Sequence, residues 1–174
     1  MPYASISSID IISSMFGKEP KRYIREITTR PTEAYDPLHT AVTKPEDLAV
    51  LMKAVQDESI AKIFAILLDE QYLPLSTVLV GVGVKPANLN PRSIWFPVSH
   101  FNADRLILLR NQPAGDPHPT ENDRILMKDV SEMADRFKTD FSDYVIVGGN
   151  SYWARSLTLG AIYEKGTVRP IPED

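Results

Sequence analysis

An α/β fold is predicted by three features of the sequence. Three segments, 44–56, 91–101 and 120–138, repeat apolar residues at helical spacing. Short unbroken apolar runs, Ile63–Leu68, Leu106–Leu109 and Tyr144–Val147, have the length and composition of buried strands. At 106–123 an apolar run passes into a loop broken by Pro113, Gly115, Pro117 and Pro119, then into the helix start Thr120-Glu121-Asn122-Asp123. Strand, Pro/Gly loop and helix N-terminus together place polar side chains at the edge of a sheet.

Composition bounds the function. A chain of 174 residues, 43% apolar and 24% charged, fits one ordinary soluble domain with a short extra segment. Cysteine is absent, which excludes a disulfide framework and a thiolate metal site. The net charge of −4 argues against wholesale wrapping by nucleic acid but leaves room for a local basic patch. No apolar run is long enough to span a bilayer, and Met1 to Ser14 lacks the basic start and apolar core of a secretion signal. The expected compartment is the cytoplasm, with no membrane partner.

In chain order, residues 1–42 form an N-terminal extension. A short helix is plausible over Ser5–Phe16 and an extended segment over Lys21–Thr29. Lys21, Arg22 and Arg25 form a basic cluster that could contact DNA phosphates, although a solvated face is the ordinary reading of such a run. Thr43-Lys44-Pro45-Glu46 has capping-box spacing, and Leu48, Leu51, Met52 and Val55 give the following helix its core stripe. Ile63–Leu68 is a central strand, Asp69-Glu70-Gln71 a turn, and Leu73–Val84 a second strand, so the two form a hairpin. Asn90-Pro91 caps the next helix, which Pro97 is expected to kink or shorten. After the 106–123 junction come a helix with Leu126, Val130, Met133 and Phe137 on one side, a strand at Tyr144–Val147, a turn at Gly148-Gly149-Asn150 and a last strand over Ser151–Leu159. Residues 163–174 read as a loose, polar, proline-containing tail.

The junction Arg110-Asn111-Gln112-Pro113-Ala114-Gly115-Asp116-Pro117-His118-Pro119-Thr120-Glu121-Asn122-Asp123 resembles the RadC family of JAB/MPN (JAMM) metallohydrolase-like domains. That family's pattern is His-Asn-His-Pro-Ser-Gly-Asp-Pro-x-Pro-Ser-x-x-Asp. Pro91-Arg92 with Asn102-Ala103, and Asp143-Tyr144-Val145-Ile146-Val147-Gly148, match two further family segments, the latter with tyrosine in a histidine's place. The resemblance covers residues 43–162 and implies a mixed β-sheet flanked by helices in the JAB/MPN (cytidine deaminase-like) architecture.

It also implies a zinc site: two histidines and an aspartate hold the metal, a glutamate shuttles a proton, and a serine hydroxyl supports the oxyanion. Position by position, that site is degenerate here. Arg110 stands at the first histidine and has no lone pair to give. Gln112 stands at the second and offers a poor zinc donor. Ala61 stands at the glutamate, and Glu58, at an odd offset, would face the other side of a strand. Thr120 and Asp123 keep the serine and aspartate positions, and helix capping explains both without any chemistry. Arg110 is expected to reach Asp123 and put one cation where the resemblance puts another. No cofactor and no catalytic residue are expected.

The alternative is a weak or atypical metal-dependent, metallopeptidase-like hydrolase with zinc on Gln112 and Asp123, or a shifted site of Asp116, His118 and Asp123. Trp95 and Trp153 could stack bases but read better as core, and His100 as packed or capping. The favoured function is a protein- or DNA-associated binding module, a RadC-like pseudoenzyme whose relatives' name points to DNA repair, working with a protein partner or as a homo-oligomer.

Overall fold

The computed structural model describes residues 38–158 and 168–172, so the predicted N-terminal helix and extended segment lie outside the described residues. Six strands form one sheet: β1 (Lys62–Leu68), β2 (Pro74–Val82), β3 (Arg105–Asn111), β4 (Asp140–Gly148), β5 (Ser151–Ala154) and β6 (Arg169–Pro170), in spatial order β2-β1-β3-β4-β5-β6. β3 and β4 run parallel and every other neighbouring pair antiparallel, so the sheet is mixed. The antiparallel pairs β1/β2 and β4/β5 are joined by short turns, whereas the parallel pair is joined through a helix. The helices are α1 (Ala49–Gln56), preceded by a 3-10 turn at Pro45–Leu48, α2 (Pro91–His100) and α3 (Glu121–Phe137).

Because successive side chains of a strand point to opposite faces, the central strands feed two cores. Ile63, Ala65 and Leu67 of β1 with Leu106 and Leu108 of β3 pack beneath Ile94, Trp95 and Val98 of α2 and Leu126, Met127 and Val130 of α3. Phe64, Ile66, Leu68, Ile107, Leu109, Val145 and Val147 pack on the other side against Leu48, Leu51, Met52 and Val55. Both faces of β1, β3 and β4 are therefore covered, which is why these strands read as unbroken apolar runs. Both tryptophans are in the core, Trp95 stacked on Phe137 at 4.6 Å, so neither ring is available to a base. No helix among the described residues is long and apolar enough to cross a membrane.

Several local expectations change. The carboxylate that closes the first cap is Asp47, whose Oδ2 accepts from the Thr43 and Lys44 N–H groups and the Thr43 hydroxyl. Glu46 turns instead to the Tyr152 hydroxyl at 2.6 Å. Pro97 neither ends nor shortens its helix at that point: α2 runs on to His100, and the Pro97 carbonyl accepts from Phe101 N–H at 3.0 Å. In so short a helix the proline removes one intrahelical bond. The His100 ring lies at the surface, stacked on Phe96 and edge-on to Phe101. β5 ends at Ala154, and Arg155–Thr158 is a 3-10 turn rather than strand. Within the predicted loose tail, Arg169–Pro170 pairs with Ser151 and Tyr152, Ile171 is buried, and its N–H donates to the Asn150 carbonyl at 3.0 Å. One buried isoleucine and a backbone bond hold a segment too short to show any periodicity.

The 113–119 loop lies against the end of β4 at Gly148. A Cβ there would sit 2.8 Å from both the Gly115 carbonyl oxygen and the Pro117 nitrogen, backbone atoms that cannot swing aside. Gly148→Ala is expected to cost about 1–3 kcal/mol, the usual range for overpacking. Urea denaturation measures it, and a variant as stable as the parent would mean that the loop is not seated there.

Candidate functional site

β3 delivers two polar residues to the end of the sheet, and strand parity sends them to opposite faces. Arg110 follows Leu106 and Leu108 towards α3, and Asn111 follows Ile107 and Leu109 towards the α1 side. Across the loop, Thr120 is the N-cap of α3 and Asp123 the third helical residue. The cap is a full reciprocal box. The Thr120 hydroxyl accepts from Asp123 N–H at 3.4 Å, and Asp123 Oδ2 accepts from Thr120 N–H at 2.8 Å and from the Thr120 hydroxyl at 2.5 Å. The box turns the carboxylate back towards the sheet, where it is 0% exposed.

There it meets Arg110, itself 3% exposed, in a two-pronged pair. Arg110 Nε donates to Asp123 Oδ1 at 2.5 Å and Nη2 to Oδ2 at 2.7 Å. Nη1 donates to Gln112 Oε1 at 2.5 Å and to the Asn111 carbonyl at 3.3 Å. The Tyr144 hydroxyl, fully buried on neighbouring β4, donates to Asp123 Oδ1 at 2.6 Å. The ion pair expected from the residue types is thus formed, in the bidentate geometry that suits guanidinium to carboxylate.

The electrostatics follow from burial. Desolvation pushes the Asp123 carboxyl up, but the Arg110 bonds and charge, helped by Thr120 and Tyr144, outweigh it and hold the group below the ordinary aspartate range. Desolvation likewise opposes the charge on Arg110, and Asp123 more than offsets it. Burial, then the Asp123 charge, drive the Tyr144 phenol well above its usual value, so it remains a neutral donor.

The donor set does not fit zinc. Arg110 brings a positive charge and no lone pair to the first ligand position, the Gln112 oxygen is already engaged by Arg110, and both Asp123 oxygens accept from two or more donors. Nor does the structure gather Asp116, His118 and Asp123. Asp116 and His118 pair with each other at 2.6 Å, 70% and 62% exposed, while Asp123 is enclosed. Among the described residues no three His, Cys, Asp or Glu side chains cluster. Ala61 sits just before β1, where its carbonyl accepts from Gly83 N–H, and its methyl group cannot act as a base. Residues 58–61 are not strand, so the parity argument for Glu58 does not apply; its carboxylate pairs with Lys62 at 2.5 Å.

Two participants were not foreseen. Tyr144 lies in an apolar run and reads as core; the signal was the tyrosine in a histidine's place, one strand away from Arg110. Asn111, 0% exposed, clamps the approach to β1: its Oδ1 accepts from Lys62 N–H at 2.6 Å and its Nδ2 donates to the Glu58 and Ile60 carbonyls. Asp143, in the same matched segment as Tyr144, holds the 3-10 turn after β5 through Ser156 N–H and hydroxyl. Burial raises its carboxyl above the usual value despite those bonds. Lys21, Arg22 and Arg25, the nucleic-acid candidates, lie outside the described residues.

A mixed sheet with helices on both faces, and a strand end facing a helix N-terminus across a Pro/Gly loop, define an α/β domain of the JAB/MPN type. A family model for the RadC-like JAB domain matches residues 42–158, about two thirds of the chain. The chain belongs to the RadC-like JAB domain family. Among curated relatives, a UPF0758 protein of Coprothermobacter proteolyticus is 28% identical over 117 residues, 64% of this chain and 50% of the relative. One of Desulforamulus reducens is 25% identical over 159 residues, 85% and 68% of the two chains. One of Streptococcus thermophilus is 29% identical over 106 residues, 60% and 46%. The matched region thus spans roughly half to two thirds of these relatives' length.

Arg110→Met is expected to cost about 3–5 kcal/mol at neutral pH, because it strands a buried carboxylate. The pH dependence has opposite signs in the two proteins. In the parent, Asp123 titrates below its unfolded value of about 3.9, so the pair stabilises fully above that value and fades as the pH falls through the folded one. In the variant, burial is no longer outweighed by the Arg110 charge and raises the carboxyl despite Thr120 and Tyr144, and acidification removes the penalty. Urea denaturation at pH 7 and pH 4 should show the gap narrowing; an unchanged gap would mean that the Asp123 carboxyl is not raised in the variant.

Proposed function

We propose that this chain is a catalytically degenerate RadC-like JAB domain that acts by binding, as a protein- or DNA-associated module of the cytoplasm, and holds no zinc. The observation that carries this reading is the Arg110 guanidinium on both oxygens of Asp123. A hydrolase of the JAMM type needs an electrophilic metal and an activated water at this point. The guanidinium supplies charge but no coordination, and four of its five N–H donors are engaged by Asp123, Gln112 and the Asn111 carbonyl. Ala61 supplies no proton shuttle. What remains is the rigid frame: the capped helix, the loop seated on Gly148 and the sheet edge, all built to hold position. Such a frame suits recognition better than turnover.

Metal analysis tests the reading. The purified parent protein, equilibrated with zinc and dialysed, is expected to retain none. The R110H/Q112H double variant supplies two imidazoles beside Asp123 and is expected to retain about one zinc per chain, since two His, one Asp and a water complete a tetrahedron. It should still not hydrolyse peptides, because position 61 lacks a carboxylate. Near-stoichiometric zinc in the parent would overturn the reading in favour of an atypical metallohydrolase using Asp123 and Gln112.

A further inference from the structure

The long strand β2 (Pro74–Val82) stands at one end of the sheet, with β1 as its sole neighbour among the described residues. Among the described residues its outer edge therefore carries backbone donors and acceptors with no strand to meet them, a template for another strand. Soluble proteins usually blunt such an edge with charge or an interior proline. Both are absent: residues 71–84 contain no Lys, Arg, Asp or Glu in a chain that is 24% charged, and Pro74 is the strand's first residue; register shifts lie only towards the ends of β2, opposite Ile63/Phe64 and Leu67/Leu68, and leave Ser76–Leu79 regularly paired. Leu75, Thr77 and Leu79 alternate along one face and are all exposed, the two leucines by 41% and 45%.

We propose that β2 pairs antiparallel with β2 of a second copy of this chain about a two-fold axis at Thr77, joining two six-stranded sheets into one. Charge selects this occupant. A partner of opposite charge would find nothing to attract it between residues 71 and 84, while two copies, each carrying −4, can approach edge to edge only along a neutral strip. The sequence is also self-complementary in that register. With Thr77 opposite Thr77, Leu75 of each copy faces Leu79 of the other. Directly opposed Cβ atoms are roughly 4.5–5.5 Å apart, so the two Leu–Leu pairs and the central Thr–Thr pair would form one stripe across the junction. The interface is isologous and closed, leaving neither β2 edge free to pair again. It does not involve Arg110 or Asp123, and so stands or falls independently of the zinc question.

Sedimentation velocity on the full chain tests this. The parent is expected to be a dimer that dissociates on dilution. T77K alone and T77E alone place like charges directly opposite each other at the axis and are each expected to be monomers. An equal mixture of the two places lysine against glutamate and is expected to restore the dimer. Thr77 is exposed, so both variants should keep the far-ultraviolet circular dichroism of the folded parent, and I125K, an exposed site on α3, should leave the dimer intact. A monomeric parent at the highest soluble concentration, a dimer that survives both single variants, or a mixture that stays monomeric would each overturn the proposal.

Discussion

A carboxylate at the start of α3 cannot be buried without a cation, and most of the site's local structure follows from that requirement. The capping box fixes Asp123 against the helix start, where the helix dipole favours it, but capping alone does not offset complete removal from water. Arg110 supplies the missing charge from the strand opposite. An ionised carboxylate has about four lone-pair directions. Nε, Nη2, the Tyr144 hydroxyl and the Thr120 hydroxyl and N–H converge on them. The group is saturated, which is the physical sense in which the site is closed: nothing further can be coordinated there without displacing a bond already made.

The sheet makes this economy of groups possible. Parallel pairing sets Leu108 beside Tyr144 and Arg110 beside Ile146, so Tyr144 and Arg110 reach the same face one residue pair apart. Antiparallel pairing of β1 with β3 brings the start of β1 beside Arg110 and Asn111, where Asn111 can tie down the 58–62 connection. Two adjacent residues of one strand thus serve two buried polar networks on opposite faces. The loop between β3 and α3 is held at both ends, by Gln112 N–H on the Val147 carbonyl at 2.6 Å and by the reciprocal cap, and is seated in the middle on Gly148.

What could be read from the residues alone follows the same logic. The helices and the central strands were legible because their periodicity is set by burial on known faces. The Thr120 cap and the Arg110–Asp123 pair were legible because short-range spacing and opposite charge leave few choices. Tyr144 was not, because a tyrosine among valines and isoleucines is indistinguishable from core until the neighbouring strand is known. Asp47 displaced Glu46 in the first cap because Tyr152, more than a hundred residues away, offers Glu46 a buried donor. The strand at Arg169–Pro170 was invisible for a similar reason. Its stability lies in Ile171 and in contacts such as that of Arg169 with Glu46 at 3.4 Å, none of them local in sequence.

The saturation of Asp123 also makes the closed state hard to leave by single steps. Replacing Arg110 with histidine alone removes the bidentate cation before a second imidazole exists to help hold a metal, and the carboxylate bears the cost of burial. Replacing Gln112 alone sets an imidazole against a guanidinium that already fills the space and takes a carbonyl acceptor away from Nη1. Either intermediate is expected to be less stable than the starting protein, and neither supplies the two imidazoles that would join Asp123 around a zinc. The residues around Asp123 form a self-consistent network whose free energy goes into the fold.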